Sequence, residues 1–309
     1  MIISKLMHKY ALVRDKKPVS WSVGQFFFTP LQMSWHLIHH IRKMDILAYS
    51  KENDYLCSNF KQLELFNNHK KQHLKMKTVL VTGANKGIGF GIAKHLGLSG
   101  WRVIIGARHQ ERAEKAIEAL KDAGINVLGW VNIELTSAEC LEQAAQEIAE
   151  KYPELTLLVN NAGIPGDMSV NAQQTELKDI KETLEVNFIG TFTLTQLLMS
   201  VLEKNNGRIV NVTVPSEISP YWHPLAYVTS KAAQNAMMGV MAMEFQQKGR
   251  TLETFSVHPG PTTTDLNGNM SLPGFHDIET VGAKFAELIN DGKTHQGEFI
   301  ELYPIVKED

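Results

Sequence analysis

The chain has 309 residues, 43% of them hydrophobic, which is enough apolar material for a substantial core. A net charge of -2 supplies no global field to draw nucleic acid or an anionic membrane, and two cysteines, Cys57 and Cys140, make neither a disulfide framework nor a metal spacing. We therefore expect no metal, no nucleic-acid partner and no membrane partner. With no secretory signal in the first 20 residues and no apolar run of about 18 residues, the chain reads as a cytoplasmic protein.

The charge is unevenly shared. Residues 1–75 carry 12 basic against 5 acidic side chains, six of the 12 histidines and a single glycine, Gly24. This stretch shows no sustained hydrophobic period, and its most apolar part, 26–38, is broken by Pro30, Gln32, Ser34 and His36. Residues 1–75 read as an N-terminal extension, poorly ordered or accessory, or as an upstream extension of the reading frame, since Met76 opens directly into a strand. The second part, residues 76–309, is the working domain.

From Met76 onward, short runs rich in Val, Ile and Leu alternate with amphipathic stretches. Strands are predicted at 78–82, 102–106, 126–131, 156–160, 208–213, 252–258 and 298–302. Helices are predicted at 88–98, 111–122, 138–151, 177–203, 226–247 and 279–290. Regular βα alternation implies an α/β fold, a doubly wound parallel sheet with right-handed crossovers and helices on both faces.

The first strand runs into Thr82-Gly83-Ala84-Asn85-Lys86-Gly87-Ile88-Gly89. A glycine-rich turn between a strand and a helix lets backbone approach a pyrophosphate, and the helix N-terminus presents free N–H groups to it. The second strand is followed by Arg108, where NAD-binding sheets place an acid for the ribose hydroxyls. Arg108 and Lys86, with no acid beside them, suit a 2′-phosphate, so the expected cofactor is NADP(H) rather than NAD(H). Asn160-Asn161-Ala162-Gly163 closes the fourth strand, at the sheet edge where ligands bind.

Tyr227 and Lys231 stand four residues apart, on one face of a helix. A nearby ammonium favours phenolate and lowers the phenol's pKa from about 10. Lys231 could also hold a nicotinamide ribose, while Tyr227 gives a proton to a carbonyl oxygen, or removes one from an alcohol. Pro261 to Asn269 form a polar, glycine-containing lid, and Tyr221, Trp222 and Leu225 wall a pocket suited to an apolar or ring-bearing carbonyl compound.

Taken in order, turn 82–89, Asn132-Ile133, Asn160–Gly163, Asn187, Tyr227/Lys231 and Pro259-Gly260 resemble the short-chain dehydrogenase/reductase family across about 230 residues, in a carbonyl-reductase-like pattern. The resemblance implies a Rossmann-like sheet of seven strands, a nicotinamide cofactor and an oxidoreductase that interconverts a carbonyl compound and an alcohol. It implies that Asn132 and Ile133 line the adenine pocket and that Asn187 holds a water in a proton relay. Pro259, Gly260 and Thr262 would lie beside the nicotinamide, and a homo-oligomer, dimer or tetramer, would form through the long later helices. One position departs from the family. The serine expected about thirteen residues before the tyrosine is Val214, which cannot donate a hydrogen bond. Ser216, two residues on, is the candidate replacement, so the catalytic set is Tyr227, Lys231, Asn187 and Ser216. The missing serine also keeps a second reading open, a non-catalytic NADP(H)-binding regulatory or interaction protein on the same fold.

Overall fold

The computed structural model describes residues 77–219 and 222–304; the expectations for residues 1–75 and for Tyr221 lie outside the described residues. In chain order the elements are β1 (Thr78–Thr82), α1 (Gly87–Leu98), β2 (Arg102–Ala107), α2 (Gln110–Asp122), β3 (Val127–Asn132), α3 (Ala138–Lys151) and β4 (Leu155–Asn160). Then come α4 (Leu177–Leu184), a π turn (Glu185–Gly190), α5 (Thr191–Lys204), β5 (Arg208–Val212), α6 (Leu225–Gln247), β6 (Glu253–His258), α7 (Ile278–Ile289) and β7 (Phe299–Glu301). Every strand and helix predicted between residues 78 and 302 is present, with ends displaced by one residue at most sites.

The seven strands form one sheet in the order β3-β2-β1-β4-β5-β6-β7, and every neighbouring pair is parallel. Strand alternation sends successive side chains to opposite faces. Val79 and Val81 join α1, α2 and α7 through Ile92, Leu96, Leu120 and Phe285, whereas Leu80 joins α3, α5 and α6 through Leu141, Leu198 and Met238. The result is the three-layer Rossmann-like arrangement, with both faces of the sheet dry.

On the first face α1 and α7 are in backbone contact. A Cβ on Gly91 would stand 2.2 Å from the Ile278 carbonyl oxygen, and one on Gly282 would stand 2.4 Å from that of Gly91. Neither distance is compatible with a side chain, so these glycines set the closeness of the two helices.

The predicted helix 177–203 runs over the right span but is not uniform. The π turn inserts one residue per turn between α4 and α5, and it carries Asn187. Hydrophobic periodicity cannot register a single inserted residue, which is why the sequence reads as one helix. Gly190 ends the π turn against the Leu135 carbonyl, where a Cβ would come within 2.1 Å of the oxygen. The continuous stretch Leu177–Lys204, whose most apolar 18-residue window has a mean hydropathy of 1.2, is the one helix among the described residues long and apolar enough to cross a membrane. Its Leu194, Leu198 and Leu202 are fully buried against the sheet, so its apolar face has a partner within the fold.

Replacing Gly91 by leucine should force α1 and α7 apart and destabilise the domain by roughly 2–4 kcal/mol, the range of overpacking and buried backbone clashes. Calorimetry should show the melting temperature falling by about 5–15 °C. An unchanged melting temperature would mean that the two helices are not in backbone contact.

Candidate active site

Parallel pairing puts the carboxyl ends of all seven strands on one edge, and the strand order reverses between β1 and β4. Thr82 stitches the two strand ends together there. Its hydroxyl accepts the N–H groups of Asn161 at 2.9 Å and Ala162 at 3.0 Å and donates to the Val159 carbonyl at 3.3 Å. Asn161 Nδ2 returns to the Thr82 carbonyl at 2.9 Å, and the buried Asn160 donates to Asn211 Oδ1 at 2.8 Å and to Thr195 Oγ1 at 2.9 Å.

The glycine-rich turn is shaped by that stitch. A Cβ on Gly89 would lie 2.4 Å from Asn161 Nδ2 and 2.6 Å from the Gly83 oxygen, so the turn tolerates no side chain there. Gly87, with φ at +59°, faces the other way: its nearest neighbour would be Thr264 Cγ2 at 3.9 Å, leaving open space above the first turn of α1. No side chain caps that helix N-terminus. A backbone cradle with its N–H groups uncapped and no side chain filling it fits a pyrophosphate.

Around the cradle, Asn85 lies on the turn and Ile88 in the first turn of α1. Arg108 is exposed directly after β2. Asn132 ends β3 exposed, and the buried Ile133 next to it donates its N–H to the Ala107 carbonyl at 3.2 Å. Gly163 follows β4, and a Cβ there would meet Asn187 Oδ1 at 2.9 Å and Lys231 Nζ at 3.8 Å. After β6, Pro259 is buried, Gly260 has φ at +78°, and Thr262 Oγ1 donates back to the Gly260 carbonyl at 3.0 Å. Lys86 is not free. Its Nζ is 2.9 Å from Asp265 Oδ2 in the loop after β6, and this pairing holds the Asp265 carboxyl below the usual range.

Tyr227 and Lys231 lie on the buried face of α6, with Nζ 5.7 Å from the centre of the phenol ring. The ammonium donates to the Val212 carbonyl at 2.9 Å and to Gln234 Oε1 at 3.0 Å. Burial pushes Tyr227 up to about 12 and Lys231 down to about 8. The sequence reasoning expected the ammonium to lower the phenol; in the folded chain burial, which disfavours both charged forms, outweighs that attraction. Asn187 comes from the π turn and is fully buried. Its Oδ1 accepts from the Ile164 N–H at 2.8 Å, and its Nδ2 donates to the Ile164 carbonyl and to Ser230 Oγ, both at 2.9 Å. Ser230 in turn donates to the Tyr227 carbonyl at 2.7 Å.

The fold thus brings Tyr227, Lys231 and Asn187 into one connected buried group. Ser216 is exposed, and its Oγ accepts from Asn235 Nδ2 at 3.0 Å. Asn235 also holds the Val214 carbonyl at 2.9 Å. Because Asn235 is eight residues beyond Tyr227, about 12 Å of helix rise separates their Cα atoms. Trp222 meets the Tyr227 ring edge-on, with centroids 5.4 Å apart. Gln234 was not singled out from the sequence; the available signal was a polar side chain three residues after Lys231, on the helix face turned to the sheet.

Residues 77–272 match the family model for short chain dehydrogenases, and the chain belongs to that family. Among its relatives, the chain is 30% identical over 195 residues to estradiol 17-beta-dehydrogenase 2 of Rattus norvegicus, a match covering 62% of this chain and 50% of that protein. It is 32% identical to the oxidoreductase YciK of Escherichia coli, covering 65% of this chain and 79% of the relative. A solved structure of NADPH-bound carbonyl reductase from chicken fatty liver superposes with a TM-score of 0.65 at 26% identity, over 74% of this chain and 97% of that one. The chain spans about half the length of the estradiol dehydrogenases it matches.

Proposed function

We propose that residues 76–309 form an NADP(H)-dependent oxidoreductase that interconverts a carbonyl compound and an alcohol, with Tyr227 as the acid/base. The observation that carries this reading is the buried Tyr227–Lys231–Asn187 group beside an uncapped, side-chain-free cradle on the same sheet edge. The similarity to an NADPH-bound carbonyl reductase supports the choice of cofactor.

When bound, NADPH would supply the hydride. The chain's own residues do the rest. Gly83, Gly87, Gly89 and the α1 N-terminus would hold the pyrophosphate, with Asn160, Ala162 and Gly163 bordering the cleft. Arg108, and Lys86 once it leaves Asp265, receive the 2′-phosphate. Asn132 and Ile133 border the adenine, while Pro259, Gly260 and Thr262 flank the nicotinamide. Lys231 holds the ribose through the ammonium proton that Val212 and Gln234 leave uncommitted. Tyr227 keeps its proton well above neutral pH and so stands ready to pass it from Oη to the carbonyl oxygen as the alcohol forms. Asn187 locks the π turn against α6 and keeps the pair in register. Ser216 takes the part of the absent serine only when the 214–219 loop releases it from Asn235.

Trp222 and Leu225, both exposed beside Tyr227, favour an apolar or ring-bearing substrate, in keeping with the steroid named for the rat relative. Ile189 and Phe192 at the π turn and α5, with Val240 and Met243 on α6, are exposed apolar side chains that suit a homo-oligomer, dimer or tetramer, in the cytoplasm. Val214 favours a second reading, a protein that binds NADP(H) without turnover.

The Tyr227→Phe variant separates the two. On the enzyme reading, NADPH oxidation with a panel of ketones and aldehydes falls at least a hundredfold at 340 nm, the general acid/base contribution, while NADPH binding changes little. No turnover by the parent chain with any carbonyl, together with tight NADPH binding, would favour the second reading. Asp265→Asn frees Lys86, and exposed pairs contribute about 0.2–1 kcal/mol. NADPH should therefore bind up to about fivefold tighter in this variant with NADH unaffected; equal effects on the two cofactors would remove Lys86 from the 2′-phosphate site.

A further inference from the structure

Gln234 is fully buried and uses both ends of its carboxamide. Oε1 accepts a proton of the Lys231 ammonium at 3.0 Å. Nε2 donates to the Asn187 main-chain carbonyl within the π turn and, at 3.4 Å, to Thr191 Oγ1 at the start of α5. No other side chain among the described residues accepts from Lys231; its remaining partner is the Val212 carbonyl on β5. The carboxamide therefore bridges the ammonium and the one irregular turn of the α4–α5 helix.

The bridge has a structural cause. In an α-helix the Asn187 carbonyl would be taken by the Thr191 N–H; in the π turn that pairing is shifted, and the Thr191 N–H goes to the Phe188 carbonyl instead. Buried carbonyls need a partner. Gln234 supplies it from α6, and its opposite end then points at the lysine. The groups facing Lys231 are few: Tyr227 and Gln234 from α6, the Val212 carbonyl from β5 and the Gly163 backbone from the loop after β4. None is a carboxylate, so a neutral dipole is the strongest side-chain support the ammonium has.

We infer that Gln234 is a positioning residue, aiming the Lys231 ammonium toward Tyr227 and the ribose side of the cleft by accepting one of its protons from an anchor on the π turn. The inference rests on the proposed role of Lys231. Without the carboxamide the ammonium would keep one fixed acceptor, would swing about its four-carbon stem and would lose its charge at lower pH, because burial would be less compensated.

Two substitutions and two readouts test this. The full chain is labelled with [13Cε]lysine and titrated by NMR, and turnover with NADPH is followed against pH. In the parent chain Lys231 should titrate near pH 8. Gln234→Met keeps the length and removes the acceptor; the Lys231 midpoint should fall by about one unit and the high-pH limb of kcat should move down with it, with kcat lowered about tenfold. Gln234→Glu keeps an acceptor and adds charge but loses the Nε2 anchor to the Asn187 carbonyl, so the midpoint and the limb should move up by about one unit or more while kcat returns only in part. Unchanged Lys231 midpoints in the folded variants, with only thermal stability altered, would overturn the inference. If Gln234→Met does not fold, the direction of the shift in Gln234→Glu decides alone. Tyr227→Phe keeps the two claims apart. Loss of turnover in that variant with a normal Gln234→Met profile would sink only the role of Gln234. Retained turnover in Tyr227→Phe would sink the catalytic reading while the NMR midpoints still judge Gln234.

Discussion

An ammonium held out of water at the carboxyl edge of a sheet is the constraint around which this domain is arranged. Burying a cation costs several kcal/mol unless its protons find acceptors. Lys231 has no carboxylate; it has the last carbonyl of β5 and the carboxamide of Gln234. Gln234 is held in turn by the Asn187 carbonyl of the π turn, and that turn is closed by Gly190 against the Leu135 carbonyl. A chain of geometric requirements thus runs from a glycine on the far side of a helix to the charge beside Tyr227. A buried polar network of this kind fixes one arrangement of its side chains, and the ammonium proton it leaves over is directed to the cleft.

The same burial decides the acid/base character of the pair. Isolated from water, the phenol keeps its proton and the ammonium gives its own up more easily, both relative to free side chains. A protonated phenol is the form that serves carbonyl reduction. On the proposed acid/base role, desolvation therefore favours the protonated phenol.

Much of the fold was legible because both of its signals are local. The apolar runs at 78–82 and 156–160 declare strands covered on both faces, and Gly83, Gly87 and Gly89 declare a tight turn before a helix. The structure confirms each and adds why the glycines are needed: Asn161 Nδ2 and the Gly83 oxygen occupy the space a side chain at Gly89 would require. Tyr227 and Lys231 were legible from i, i+4 spacing on one helix. Other features depend on contacts between distant segments and left no periodic trace. The π turn at Asn187 is one inserted residue within an otherwise helical pattern. The engagement of Lys86 by Asp265 joins residues 179 apart. The hold of Asn235 on Ser216 joins a loop to a later helix, and no spacing rule foretells it. The sign of the Tyr227 shift was misjudged for a related reason: a neighbouring charge can be read from sequence, whereas the depth of burial cannot.

The most direct test of the central claim, that the buried ammonium serves a dinucleotide, is the binding of NADPH to the parent chain and to Lys231→Met, followed by cofactor fluorescence at neutral pH. The account predicts saturable binding by the parent and a dissociation constant at least about tenfold larger for the variant, the scale of a lost hydrogen bond from a charged group. Equal binding by both chains, or none by the parent, would contradict it.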